Sequence, residues 1–591
     1  MHLISKQIKG HEYFYLVEKQ RRGKRVVTSR TVYVGNRQKL AELVQQSAAA
    51  AFPASFEAQP VGAVLALAAL AEELGIATLI DEVCPVRQDA APIGRRLVIA
   101  AIGRAVMPRR ENGVCNLRTF YEGSVLPEVL AVPPSSLDDQ RLSEVLLALT
   151  DKQIEGIEGA VVRRVVAKEE VSTTALAFDC TNFDSYAGAR TRSRLLRRGH
   201  AKSGRSLRVL GLGLLASADQ GIPLLTFVYP GNENDVHAFG RFLRALDRRR
   251  ESLDLPLDTT VAADGGNISR QLLLQLEEDP RYYVMRLPAS HLTSVERCKR
   301  RELPSLVGAL AGRVWAKKLQ CMVYGVERCV VDVYSRRMHH RQLPGLNRDR
   351  DRARADLLEL QRLLDRQRQG LRHAKPITLA SLRRRVAAAL SREHMSTLFR
   401  VTVAKGQGAP TLTFDEPPEA WQRLDDYVLG RTLLVTNRRE WAPEEIVWAS
   451  RVQSHNEHLF RDIKDPGGVS MLPLRHRRDA ALRAHALVVV LGVLLAKVLQ
   501  RRIKKAGLRA PSLNSVLDPL KQVQRGRLHF PATAAPALRA LAADTWIPSA
   551  HSARQSELLA ALNLAGRPEL GTTLADKLAR RKPGPKRVGV E

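Results

Sequence analysis

Three carboxylates, far apart along the chain, sit in segments that could gather them around divalent cations. Asp179 lies in the short apolar strand Leu176-Ala177-Phe178-Asp179-Cys180-Thr181. Asp264 ends a second strand, Thr260-Val261-Ala262-Ala263-Asp264-Gly265-Gly266, and Glu457 opens the helical segment Glu457-His458-Leu459-Phe460-Arg461-Asp462-Ile463-Lys464. Hydrolysis or transfer at a phosphodiester needs an in-line oxygen nucleophile and a stabilised leaving oxygen. Two Mg²⁺ (or Mn²⁺) ions about 4 Å apart supply both. Such hard cations take carboxylate oxygens and keep several waters, so three Asp/Glu side chains suffice as metal ligands. Without cations the carboxylates repel one another, so the site should become organised only when the ions bind. Each residue alone has an ordinary reading: an aspartate at a strand end forms turns, and Glu457 could pair with Arg461 one helical turn away. Glu457, however, shares its stripe with Gln453 and Ser454 before it and with Phe460, Arg461 and Lys464 after it. Carboxylate, guanidinium and ammonium on one stripe could hold a metal and the flanking phosphates together.

Composition indicates what such a site would act on. The 591 residues exceed one ordinary core, so two to four domains, or a core with a large insertion, are expected. Lys+Arg 93 against Asp+Glu 61 leaves a formal charge of +32, an excess that favours a polyanion because each neutralised phosphate releases counterions. Six cysteines without a C-x-x-C pair support neither a zinc ribbon nor a disulfide framework and fit a reducing cytoplasm. The N-terminus lacks a signal-peptide apolar core. The strongest apolar run, Ala486 to Ala496, is too short to span a bilayer and reads as a buried helix. The expectation is a soluble cytoplasmic protein without a membrane partner.

The elements that must position the carboxylates follow from periodicity. Residues 11–35 alternate like a hairpin, with Arg21-Arg22-Gly23-Lys24 as the turn; 37–50 and 61–75 look helical, and helical patterns continue to about 170. This gives a β-hairpin over 1–40 and an all-helical region, for DNA binding or oligomerisation, over 41–170. From 171 to 299 the texture is α/β. The Asp179 strand and a polar basic loop (197–205) precede two apolar runs, Leu207 to Ala216 and Ile222 to Tyr229, joined by Asp219-Gln220-Gly221. A helix with Phe239 and Phe242, the Asp264 strand, a Leu-rich helix capped by Asn267 and the strand Tyr282 to Leu287 follow. Three antiparallel strands, then helix, strand, helix and strand, is the order of a ribonuclease-H-like core, whose ligands gather beyond the carboxyl ends of strands. Residues 300–437 read as a mixed insertion. It has strands at Cys329 to Tyr334, Leu398 to Val403 and Leu433 to Thr436, an Arg-rich helix at 348–372, and breaks at Leu343 to Asn347 and Gln407 to Thr413. The core resumes over 438–505, where Trp441-Ala442-Pro443-Glu444-Glu445 starts one helix running through Glu457 to about Asp465. A helical region and basic tail occupy 506–591.

In several of these segments the chain resembles the DDE transposases of bacterial insertion sequences, in the superfamily with a Tyr-Arg-Glu-Lys signature on the third-carboxylate helix. The matching segments are Phe178-Asp179-Cys180-Thr181, Gly199-His200-Ala201-Lys202, Pro230-Gly231-Asn232-Glu233-Asn234-Asp235, Ala263-Asp264-Gly265-Gly266-Asn267-Ile268 and Glu457 through Lys464. The segment Tyr13-Phe14-Tyr15-Leu16-Val17-Glu18, with Gly23-Lys24 and Gly35, is similar to the opening hairpin of one branch. The aspartates are 85 positions apart and 193 separate Asp264 from Glu457, as in members with an insertion there. The resemblance implies Asp179, Asp264 and Glu457 as catalytic metal ligands, and Lys464, seven residues after the glutamate, as a contact to the transposon-end backbone. The DNA-contact set is completed by Arg461, Arg451, Lys202 and Arg205. Upstream of Glu457 the chain departs from the signature: Gln453 stands at the arginine position, and Ser450 and Ser454 at the usual aromatic ones. Trp448 and Arg451 have Tyr-x-x-Arg spacing two residues further out, which makes Arg451 the substitute.

The resemblance implies a cut-and-paste enzyme that binds terminal inverted repeats, exposes 3′-hydroxyls and joins them to target DNA as an oligomer, at least a dimer. A non-catalytic DNA-binding descendant is the alternative that the altered positions leave open. A metal-dependent hydrolase of another substrate is disfavoured by the charge.

Overall fold

The computed structural model describes residues 2–9, 11–22, 25–36, 38–39, 55–85, 92–108, 111–188, 190–199, 207–218, 221–278, 281–292, 297–370, 376–451, 453–465, 468–530, 539 and 545–572. These fall into two compact units, one of Met1–Val145, Pro466–Val469 and Leu491–Glu591, the other of Leu146–Asp465 and Ser470–Val490. Strands are numbered along the chain.

In the first unit, β2 (His11–Arg22) and β3 (Arg25–Asn36) form the expected hairpin, and β1 (His2–Ile8) adds a third antiparallel strand. Most of the helix anticipated over 37–50 lies outside the described residues. The all-helical expectation for 41–170 needs a correction, because β4 (Ser55–Pro60) is a strand. It pairs antiparallel with β16 (Gln524–His529), which also carries the short β17 (Ile547–Pro548). Ser-Phe-Glu-Ala-Gln-Pro alternates polar and apolar residues, yet it buries Gln59 and leaves Phe56 exposed, so pairing with a partner more than 460 residues later, not burial of its apolar side, makes it a strand. The joint is sealed by Arg525, which is 1% exposed and donates to Gln59 Oε1 at 2.7 Å and to Glu128. The helices Gly62–Glu73, Ile76–Val83 and Ile93–Val106 follow the apolar patterning. Gly94 lets the last of these approach the second, since a Cβ there would sit 2.0 Å from the Ala77 carbonyl oxygen.

The second unit is mixed α/β, built on one nine-stranded sheet. β5 (Ala175–Ser185) pairs antiparallel with β7 (Arg208–Ser217), which is flanked by β8 (Pro223–Pro230) and the two-residue β6 (Arg197–Arg198). On its other side β5 runs parallel to β9 (Thr260–Ala263), and β9 runs parallel to β10 (Tyr282–Arg286). Beyond β10 the sheet continues antiparallel through β15 (Arg431–Thr436), β12 (Val326–Ser335) and β11 (Val314–Val323). Three strands of the segment anticipated as an insertion therefore extend the central sheet. The apolar runs of β12 and β15 are buried on both faces, as interior strands require, whereas β11 forms the sheet edge and is only partly buried.

One sheet face is covered by the helix Asp235–Arg249, whose Phe239 and Phe242 lie 5.0 and 3.8 Å from the ring of Phe178. The other is covered by the helix Pro443–Arg451, whose Ile446, Val447 and Ala449 pack on Ala175, Ala177 and Val284. The remainder of 336–428 has a core of its own. There the hairpin of β13 (Arg400–Ala404) and β14 (Thr411–Asp415) shares buried Leu357, Leu382, Met395 and Leu412 with surrounding helices.

Three local expectations are overturned. Leu343 to Asn347 is no break: a helix runs unbroken from Arg336 to Arg368 with Pro344 inside it. Packing outweighs the proline's missing donor there, because Leu346 is buried in the local core and the Gln342 side chain accepts from the Gly430 N–H. The loop at Gln407 to Thr413 is shorter than expected, since β14 begins at Thr411. The helix after Asp264 is capped by Ser269, whose hydroxyl accepts from the Leu272 N–H at 3.2 Å, while Asn267 belongs to a preceding 3-10 turn. The apolar run near 490 also lies in a longer helix than it suggested. Asp479–Lys505 spans 27 residues, long and apolar enough to cross a membrane, yet 94% of its most apolar window is buried, as in a core helix.

Candidate active site

The parallel register of β5, β9 and β10 builds the site. Phe178 pairs with Ala263, and Ala263 with Met285, so one step further along the three strands come Asp179, Asp264 and Arg286. Neighbouring strands lie about 4.8 Å apart, so the two aspartates are side by side although 85 positions separate them. Side chains alternate faces along a strand. Asp179 and Arg286 therefore share the face of Ala177 and Val284, the face on which the helix Pro443–Arg451 packs. Asp179 is half-buried, whereas Asp264 and Arg286 are exposed at the carboxyl edge of the sheet. Each aspartate accepts from the next backbone N–H, Asp179 from Cys180 at 2.7 Å and Asp264 from Gly265 at 2.8 Å.

The third carboxylate arrives on the same side. The segment 443–464, anticipated as a single helix, is two: Pro443–Arg451 and Gln453–Lys464. The second packs against β5 through buried Leu459, Phe460 and Ile463. Its last residue, Lys464, donates from Nζ to the Thr181 hydroxyl, and the ammonium lies 5.6 Å from the centre of the Phe183 ring. Thr181 and Phe183 share a face of β5 with Asp179. Glu457 is exposed, about 10.5 Å, two turns, back along the helix axis from Lys464. Among the described residues no ion pair links Glu457 to Arg461, which is itself exposed, so the ordinary internal pairing does not occupy the glutamate.

In type, these donors fit a hard divalent cation, and Asp179 and Asp264 fit one in placement. Among the described residues, however, no three His, Cys, Asp or Glu side chains are grouped closely enough to hold a metal ion.

The candidate phosphate contacts divide. Lys464 is seated at β5 as above. Arg451 ends its helix; partial burial and then the like charge of Arg337 push its guanidinium below its ordinary pKa. Lys202 and Arg205 lie outside the described residues, as do the side chains of Gln453 and Ser454. The Ser450 hydroxyl donates to the Val447 carbonyl oxygen within its own helix at 2.9 Å. Sequence reasoning passed over Arg286. Its only signal was a charged residue near the end of the apolar strand after Asp264.

Gly265 follows Asp264 where backbones converge: an added Cβ would lie 2.8 Å from the Arg286 carbonyl oxygen. Gly265→Ala is therefore expected to shift the loop bearing Asp264, at a cost of about 1–3 kcal/mol. A thermal melt and any activity assay should both register the change, and an unchanged melting point would refute the crowding.

No curated protein matches the chain. A solved structure described as a cryo-EM structure of piggyBac transposase synaptic complex with hairpin DNA is similar at 9% identity and a TM-score of 0.34, covering 78% of this chain and 80% of that one. The family described as Transposase DDE domain matches residues 188–493, a span that includes Asp264, Glu457 and Lys464. That match covers more than half of the 591 residues, and the chain belongs to the transposase DDE domain family.

Proposed function

We propose that the chain is the transposase of a bacterial insertion sequence, acting on double-stranded DNA through a ribonuclease-H-like core. The observation that carries the reading is the register that sets Asp179 beside Asp264 on parallel strands, with the Glu457 helix packed on the same strand. The strand order β8-β7-β5-β9-β10, antiparallel at first and then parallel, supports the core assignment. Asp179, Asp264 and Glu457 would hold two Mg²⁺ or Mn²⁺ ions. When bound, such ions activate an attacking oxygen and neutralise the departing 3′-oxygen.

This chain's own residues do the rest. Lys464, seven positions after Glu457 as in the Tyr-Arg-Glu-Lys signature, sits beside Thr181 and orients the transposon-end backbone. Arg451 and Arg461 add phosphate contacts, and Lys202 and Arg205 belong to the same set. The +32 charge supplies the sequence-independent part of the affinity for DNA. The region 41–170, helical apart from β4, would bind DNA or join protomers, and the working form would be at least a dimer holding two ends, in the cytoplasm at the nucleoid.

The test is a labelled duplex carrying the terminal inverted repeat of the element, incubated with the whole chain. Cleavage at the repeat boundary with a free 3′-hydroxyl, dependent on Mg²⁺ and stopped by chelation, is the expected result. Tight binding with no cutting in either Mg²⁺ or Mn²⁺ would replace this reading with that of a non-catalytic DNA-binding descendant.

A further inference from the structure

The row across β5, β9 and β10 holds one residue that no carboxylate role explains. Arg286 stands in register beside Asp264, on the sheet face that also carries Asp179, and its side chain is exposed. An arginine next to an aspartate on an adjacent strand ordinarily closes an ion pair. Among the described residues Arg286 forms none, and Asp264 bonds to its own following N–H instead. A guanidinium held at the edge of a carboxylate site without an internal counter-ion is suited to an external anion. Its fork of donors matches two phosphate oxygens at once.

The surroundings extend the same charge. A cavity of about 740 Å³ opens from Arg286 and Leu287 and is also lined by Arg297, Arg423, His394 and a single carboxylate, Glu393. Arg423 is exposed, and Arg297 donates to the Tyr427 carbonyl oxygen. Arg337, in the first turn of the long helix after β12, and Arg451 lie close enough for their like charges to oppose each other. Positive charge thus concentrates around the carboxyl edge where the aspartates sit, the polarity that a strand of phosphates would neutralise.

We propose that Arg286 is a phosphate-holding residue of the cleavage site, its guanidinium gripping the phosphodiester at or next to the scissile bond while the arginine-lined cavity receives the strand leading away. The inference rests on the transposase reading above and adds a residue to its site. Three roles then stand in one row: two aspartates for the cations and one guanidinium for the phosphate that those cations act on.

The experiment compares wild type, Arg286→Ala and Arg286→Lys on the labelled repeat duplex under single-turnover conditions. A parallel substrate series carries a neutral methylphosphonate at each phosphate within two positions of the scissile bond. Arg286→Ala should bind the duplex nearly as well as wild type, melt at the same temperature, and cleave about 10²- to 10³-fold more slowly, the cost of losing one preorganised charge donor. Arg286→Lys should recover part of the rate, having the charge without the fork. At one position the methylphosphonate should slow wild type strongly and Arg286→Ala hardly at all. Equal cleavage by Arg286→Ala and wild type would overturn the proposal, as would a slow variant that stays as sensitive as wild type to every methylphosphonate. A wild type that never cuts would instead sink the transposase reading itself, so the two failures are distinguishable.

Discussion

Asp264→Asn is expected to lower end cleavage by at least about 10³-fold, the upper range for removing one transition-state-stabilising group, while leaving the fold and DNA binding intact. The amide is the same size as the carboxylate, and its oxygen can still accept from the Gly265 N–H that Asp264 now engages at 2.8 Å. The exposed position carries no packing that the change would disturb. What disappears is one negative charge at the sheet edge. Binding should therefore hold or tighten slightly, because a carboxylate beside the phosphate backbone opposes association when no cation offsets it. The measurement pairs an electrophoretic binding assay with single-turnover cleavage. Cleavage within tenfold of wild type would remove Asp264 from the chemistry.

The second large effect concerns the frame that holds the site. Asp332 on β12 and Arg431 on β15 form an ion pair with both side chains fully buried, the Arg431 Nε donating to Asp332 Oδ1 at 3.0 Å. Arg431 also donates to the carbonyl oxygens of Cys298 at 3.1 Å and Asp426 at 3.3 Å. Burial pushes the Asp332 carboxyl above the usual carboxylate range, and the attraction and hydrogen bonds of Arg431 only partly offset this. Arg431→Met strands that carboxylate without its counter-charge and should cost about 3–5 kcal/mol.

The sign of the pH dependence follows. Losing the guanidinium raises the folded-state pKa of Asp332 further above its unfolded value, so the penalty is full at neutral pH. It narrows as pH falls, because the neutral acid is cheaper to bury. Adding Asp332→Leu should recover much of the loss, though the two orphaned carbonyls keep recovery incomplete. Chemical denaturation of the three variants at two pH values measures all of this. A single variant as stable as wild type would show that the pair contributes nothing to joining β12 and β15.

Much of the local architecture was legible in the chain. Short apolar runs, one around Asp179, one ending at Asp264 and one over Tyr282 to Leu287, marked β5, β9 and β10, because interior strands must be apolar along their length. The gap between Glu457 and Lys464 was recognisable as two helical turns. Other features were decided by distant parts of the chain. The strand at Ser55–Pro60 exists only by pairing with Gln524–His529, and Pro344 sits inside a helix because Leu346 has a core to enter. β11, β12 and β15 read as parts of an insertion because sequence order separates them from the sheet they complete.

The amino-acid pattern on its own determined which residues were acidic at strand ends, which face of a helix was apolar, and that the whole was strongly basic, since these depend on spacing along a few neighbouring positions. Only the tertiary structure decided that Asp179, Asp264 and Arg286 stand in one row and that Lys464 meets Thr181. The reason is physical: register between strands tens of residues apart follows from burying many side chains at once, and a slip by one residue would turn every one of them to the opposite face.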